Sequence, residues 1–233
     1  MTHNVPKVSI CIPTYNANGA GPSLLNRLIQ SIEQQTFTDY EIIVSDHDGK
    51  LDVETERHKI FAYNEHKGSS AWNTNNAFAH AGGKYIKPMN HDDFFYHENV
   101  LRDMVFHLEE SDARWMACQC IHTDGNETHL YNHHIPAWPG EKNMVEAMNR
   151  IGCPSVVMFE RELGVAFDID PAILYAMDCD LYIQLFQKAG LPKLHQDIGV
   201  VIRMWDGQLS NQINIARAIE DGKIYMRNKY NYE

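Results

Sequence analysis

Four consecutive residues, Asn90-His91-Asp92-Asp93, gather two carboxylates, an amide and an imidazole. Hard divalent cations such as Mg²⁺ or Mn²⁺ take oxygen ligands, commonly one or two carboxylates completed by substrate phosphates. The same residues have a plainer use, because Asp92 or Asp93 is a good N-cap for a helix starting near His97. A second acidic pair, Asp178 and Asp180, precedes an amphipathic segment. Capping accounts for one of them but not both, and a partly desolvated carboxylate at a helix start is a candidate general base. His122, His129, His133 and His134 fit no zinc spacing, so a solvated loop is expected there. Ser155 and Ser210 have no elbow or neighbouring base, and there is no G-x-G-x-x-G or P-loop. Serine hydrolysis and the commonest dinucleotide and triphosphate sites are therefore unsupported.

Strands and helices must position these groups. Val8–Ile12 is β-branched and runs into Pro13, which reads as a strand entering a loop. Leu24, Leu25, Leu28, Ile29 and Ile32 follow at helical spacing with Ser23 as cap. Tyr40–Ser45 is the next strand and stops at Asp46-His47-Asp48-Gly49; Lys59–Tyr63 is a third. A helix is expected over Ser70–Ala81, closed by Gly82-Gly83, then a strand from Tyr85 to the Asn90 cluster. Val100–Leu108 reads as a helix, Trp115–Ile121 as a strand, and 122–142 as a long loop or hairpin. Met144–Ile151 (helix), Ser155–Phe159 (strand), Leu181–Ala189 (helix) and Ile198–Met204 (strand) complete the series. Such alternation indicates an α/β protein with a mostly parallel central sheet flanked by helices, in a single domain. The clusters at Pro13–Asn16, Asp46–Gly49 and Asn90–Asp93 each follow a strand's carboxyl end, the edge where open α/β sheets bind ligands.

The 233 residues suffice for a full core, and 44% are hydrophobic. A net charge of -11 repels phosphate backbones, so general nucleic-acid binding is not expected. The five cysteines, an odd number with no C-x-x-C pair, read as buried free thiols. No apolar run approaches a transmembrane span, and Met1–Asn4 does not open a secretory signal, so a cytoplasmic protein is expected.

Val8-Ser9-Ile10-Cys11-Ile12-Pro13-Thr14-Tyr15-Asn16, Gln35–Asp46, and Ala81–Ile86 leading to Asn90-His91-Asp92-Asp93 follow one another in an order that resembles the family 2 glycosyltransferases of GT-A fold. Met177-Asp178-Cys179-Asp180-Leu181-Tyr182 is similar to the family's Glu-Asp-x-Asp-Leu segment. The resemblance implies a donor half over about 7–95, an acceptor half over about 96–210 and a helical tail over 211–233. It implies that Pro13, Thr14 and Tyr15 hold base and ribose, and that Asp46 reads a base that is most often uracil. Asn73 falls on the helix near the diphosphate, and Asn90 and His91 fall in the donor loop. Asp92 matches the ligand of Mn²⁺ or Mg²⁺, and Asp178 the base of inverting members. The implied reaction moves a sugar from a UDP-sugar to an acceptor that the sequence does not name; the loop carrying Trp138 is one expected acceptor surface.

Three departures stand out: Asn90 replaces the first Asp of the metal motif, Trp72 replaces a common Arg, and Trp205 replaces an imidazole two residues after Arg203. They feed the alternative of a non-catalytic nucleotide- or sugar-binding protein.

Overall fold

The computed structural model describes residues 5–47, 49, 59–66, 68–125, 127, 129–208, 211 and 214–232. Met1–Asn4, Asp48 and Ser210 lie outside the described residues. The strands are β1 (Val8–Thr14), β2 (Tyr40–Asp46), β3 (Lys59–Tyr63), β4 (Tyr85–Pro88), β5 (Phe94–Phe95), β6 (Trp115–Thr123), β7 (Leu130–His134), β8 (Val157–Glu160) and β9 (Lys193–Arg203). The helices are α1 (Gly21–Glu33), α2 (Ser70–Ala79), α3 (Val100–Glu109), α4 (Glu141–Val145), α5 (Met177–Ala189) and α6 (Ile215–Tyr230).

One mixed sheet runs β3-β2-β1-β4-β8-β6-β9-β5, with β7 paired to β6. β1, β2, β3 and β4 are mutually parallel, and β6 is parallel to β9. β8 lies antiparallel to both β4 and β6, so β6 and β9 point the same way as β1. The carboxyl ends Thr14, Asp46, Pro88, Thr123 and Arg203 therefore share one edge. Reversed β8 brings the turn that leads into it, Cys153–Ser155, to that edge too. The expected α/β single domain is what the chain forms.

Burial explains the strands. Every residue of β2 is buried, and β1 is buried except at partly covered Pro13. Strands covered on both faces read as continuous apolar runs rather than alternating ones. α1 lays Leu24, Leu25, Leu28, Ile29 and Ile32 into the core.

Several boundaries differ from the sequence expectation for local reasons. α1 has Ala20, not Ser23, at its N-cap, and the Ser23 hydroxyl donates to the Ala20 carbonyl. α2 stops at Ala79, with His80 as its C-cap. α4 is shorter and earlier than Met144–Ile151, because the Asn149 side chain takes the N–H groups of Ile151 and Gly152 and closes a turn. Residues 122–142 contain the second strand of a hairpin, β7 against β6.

Candidate active site

The loop after β4 is built around Asp93, not Asp92. Asp93 is 1% exposed and accepts from the Ser155 hydroxyl at 2.5 Å and from Asn90 Nδ2 at 3.1 Å. The Arg203 backbone also bonds it. Ser155 Oγ in turn accepts from the Asn90 N–H at 2.9 Å. One buried carboxylate thus ties together the ends of β4 and β9 and the start of β8. Burial first, and the charge of Asp92 second, push its carboxyl well above the usual range. Neither Asp92 nor Asp93 caps a helix; Asn99 precedes α3 without a side-chain cap bond. Beneath this hub, fully buried Lys87 donates to the Ser155 and Pro88 carbonyls and faces the Phe95 ring, and burial lowers its pKa to about 8.

Asp92 remains half-buried at the edge. The Trp205 indole Nε1 donates to its Oδ2 at 2.8 Å. Tyr15 donates from its hydroxyl to the Gly207 carbonyl at 3.1 Å, so the β9 exit spans the loops after β1 and β4. Gly207 is needed there: a Cβ would lie 2.0 Å from the Trp205 ring. His91 is buried with its ring edge-on to Tyr15 and bonded to the Pro13 carbonyl. Its Nε2 and the Thr14 hydroxyl have no partner among the described residues. Buried polar atoms left unsatisfied are costly, so this edge is suited to a polar ligand.

Asp46 is buried at the end of β2, in register with Thr14. Asn73 is also buried, and its amide accepts from Ser45 at 2.6 Å and donates to the Thr14 carbonyl at 2.9 Å. It stitches the exits of β1 and β2. Trp72 stacks on His66 at 3.9 Å.

The acidic pair on α5 separates cleanly. The N-cap is Ala176, and no side chain caps the helix, so capping explains neither aspartate. Two residues of α-helix turn about 200°, which sends the two carboxylates to opposite faces. Asp180 is fully buried and saturated, accepting from Tyr230 at 2.6 Å, Lys229 at 2.7 Å and Gln184 at 2.7 Å. Asp178 has no hydrogen-bond or ion-pair partner among the described residues, and burial alone raises its pKa to about 7. A carboxylate tuned near neutrality and left unpartnered suits proton abstraction. Cys153 lies between the two acidic regions: its Sγ is 3.7 Å from Asp93 Oδ2, and the charge of Asp178 contributes to its raised pKa.

For a metal, the described residues hold no cluster of three His, Cys, Asp or Glu. Asp92 alone fits a hard cation that takes most of its ligands from a diphosphate and water. The histidines of the 122–134 hairpin bond separately, His122 to Asn132, His129 to Asp124 and His134 to Arg150. Trp138 is not a free platform. It stacks on Phe186 at 4.7 Å and meets Trp115 edge-on, as part of the core's border. Sequence reasoning missed Ser155 as a partner of the Asp93 hub and Lys87 as the support beneath it, because a buried serine and lysine carry no periodic signal.

A sheet of this order with polar loops on one edge is the GT-A arrangement. The chain superposes on S. aureus TarS 1–349 in complex with UDP-GlcNAc with a TM-score of 0.64 at 14% identity, covering 87% of this chain and 60% of that one. It superposes on the mannosyltransferase PcManGT from Pyrobaculum calidifontis, in complex with GDP-Man and Mn²⁺, with a TM-score of 0.59 at 16% identity, over 85% and 57% of the two chains. These likenesses show the fold. Residues 9–163 match the model of glycosyl transferase family 2, and the chain belongs to that family. It is 33% identical over 98 residues to the GalNAc(5)-diNAcBac-PP-undecaprenol beta-1,3-glucosyltransferase of Campylobacter jejuni, spanning 38% of this chain and 30% of that protein. No described helix is long and apolar enough to cross a membrane.

Proposed function

We propose that the chain is an inverting glycosyltransferase that moves a sugar from a UDP-sugar to an acceptor hydroxyl, with Asp178 as general base. The observation that carries this reading is the contrast on α5: Asp180 is saturated, whereas Asp178 is unpartnered and burial raises its pKa to about 7. Family membership and the UDP-GlcNAc named for the TarS complex support the donor class.

In this reading residues 7–95 form the donor half, 96–210 the acceptor half and 211–233 a helical tail. Pro13, Thr14 and Tyr15 border the nucleoside, and Asp46 accepts from the uracil. Unpartnered Thr14 Oγ1 and His91 Nε2 offer polar contacts to the donor. Asn73 acts by holding Thr14 in place, and Asn90 by orienting the loop that carries Asp92. Asp92 would hold Mn²⁺ or Mg²⁺ together with the donor, and the ion would supply positive charge to the departing diphosphate. Asp178 takes the acceptor's hydroxyl proton as that oxygen bonds to the anomeric carbon and the bond to the diphosphate breaks. One displacement on the opposite face inverts configuration.

Hydrolysis of UDP-, GDP- and dTDP-sugars in the presence of Mn²⁺ tests the proposal, with UDP-sugars expected to be preferred. A product of retained configuration overturns the single displacement. The rival, a binding protein without turnover, draws on the Trp205–Asp92 bond, which occupies one oxygen of the metal carboxylate. Turnover of any donor removes it.

A further inference from the structure

α6 lies outside the matched family segment of 9–163, yet it grips the start of α5 on both sides of Asp178. Before Asp178, buried Gly222 meets Ala176, the N-cap of α5. A Cβ on Gly222 would stand 3.2 Å from the Ala176 Cβ, so the glycine sets how closely the helices approach. After Asp178, Tyr230 and Lys229 both reach Asp180 Oδ1, at 2.6 and 2.7 Å. Lys229 also holds Asp168 at 2.7 Å, and Tyr225 donates to that carboxylate at 2.9 Å, which anchors the segment leading into α5. A bidentate Arg227–Glu146 pair, at 2.7 and 2.6 Å, fastens the helix to the end of α4. Fully buried Met226 completes the seat.

Asp178 has no hydrogen bond to orient it, so its place is set by the helix that carries it. That helix is held through its opposite face. We propose that α6 is a clamp that fixes Asp178 for proton abstraction, and that Tyr230 and Lys229 are positioning residues acting through Asp180. The proposal rests on Asp178 being the base. A misplacement of about 1 Å can cost roughly 10²-fold in rate, so loosening the clamp lowers turnover without weakening donor binding.

The test compares Tyr230→Phe and Lys229→Met, each alone and combined with Asp178→Asn, in the full chain. The readouts are hydrolysis of a UDP-GlcNAc, UDP-Glc and UDP-Gal panel, calorimetric UDP affinity, and amide hydrogen exchange over residues 177–181. Tyr230→Phe is expected to lower kcat by about tenfold, leave KM and UDP affinity within twofold, and speed exchange in the first turn of α5. In the Asp178→Asn background the same change is expected to have no further effect on kcat, because residues acting as one unit are non-additive. Unchanged exchange and unchanged kcat in both single variants overturn the clamp, even if Asp178→Asn is inactive. Equal loss in both backgrounds also overturns it, since the effect then bypasses Asp178. Wild-type rates in Asp178→Asn overturn the base assignment, and with it the clamp's purpose. If no panel sugar turns over, unchanged exchange alone decides against the clamp.

Discussion

The indole Nε1 of Trp205 lies 2.8 Å from Oδ2 of Asp92, so the exit of β9 holds the carboxylate that the loop after β4 leaves at the sheet edge. Asp93, its neighbour, is spent on Ser155, Asn90 and the Arg203 backbone. The loop after β4 thus offers a metal one carboxylate, and one of its two oxygens already accepts from Trp205.

Mn²⁺ binding is therefore expected to be weak or undetectable without nucleotide and clear once UDP is present, read by calorimetric titration. Trp205→Phe frees Oδ2. Because a hydrogen bond to a charged group is worth about 1.5–3 kcal/mol, Mn²⁺ affinity in the presence of UDP should rise by about tenfold or more. Tight binding to the free wild type would mean that His91 or Asp93 also ligates. Activity indifferent to a chelator would remove the metal altogether.

Asp178→Asn is expected to bind UDP as wild type and to lose about 10²–10⁴-fold in turnover, the usual worth of a general base. The wild-type rate should rise with pH through about 7, where the Asp178 carboxyl ionises. A flat profile between pH 5.5 and 8 contradicts the assignment.

The same raised pKa predicts a stability cost. A folded pKa near 7 against an ordinary carboxylate value means that folding favours the protonated form. Asp178's contribution is then fully present below the unfolded pKa and is lost as pH rises through 7. Asp178→Asn, which cannot ionise, should be more stable than wild type at pH 8 by up to about 4 kcal/mol and nearly equal at pH 4. Thermal melts at the two pH values check the sign.

Asp46 is buried at the exit of β2, opposite Thr14. If it reads the base, Asp46→Ala should shrink the rise in Tm that UDP produces by mass action. An equal UDP shift in both proteins places base reading elsewhere.

Trp138 sits between Phe186 and Trp115. Trp138→Ala should cost about 3–5 kcal/mol of stability, as for other large aromatics at a core, and leave UDP affinity unchanged at a temperature where the protein is folded. Unaltered stability with impaired transfer would restore it to an acceptor role.

β1, β2 and the polar loops at their carboxyl ends were legible in the linear chain. Strands buried on both faces must be written as apolar runs, and a loop beginning where such a run stops announces itself without tertiary information. Helices α1, α3 and α5 were legible for a related reason, since their apolar faces repeat at 3.6 residues whatever they pack against. Residue type and spacing also singled out Asn90–Asp93 and the Asp178–Asp180 pair.

What each member of those clusters does was decided only by folding. Asp178 and Asp180 are the same residue two positions apart, and nothing local saturates one and leaves the other bare. The difference comes from α6, some 50 residues downstream, whose Tyr230 and Lys229 reach Asp180 and not Asp178. Asp93 became the hub and Asp92 the outward carboxylate because reversed β8 delivers Ser155 beneath one of them, while β9 delivers Trp205 to the other. Lys87 sits in a strand that reads as apolar, its charge met by the carbonyl of adjacent Pro88 and by that of Ser155 from a distant turn. Hydrogen bonds and desolvation act over a few ångströms in space and are blind to separation along the chain. The sequence therefore determined which residues were available for chemistry, and the packing of distant segments determined which of them were left free to perform it.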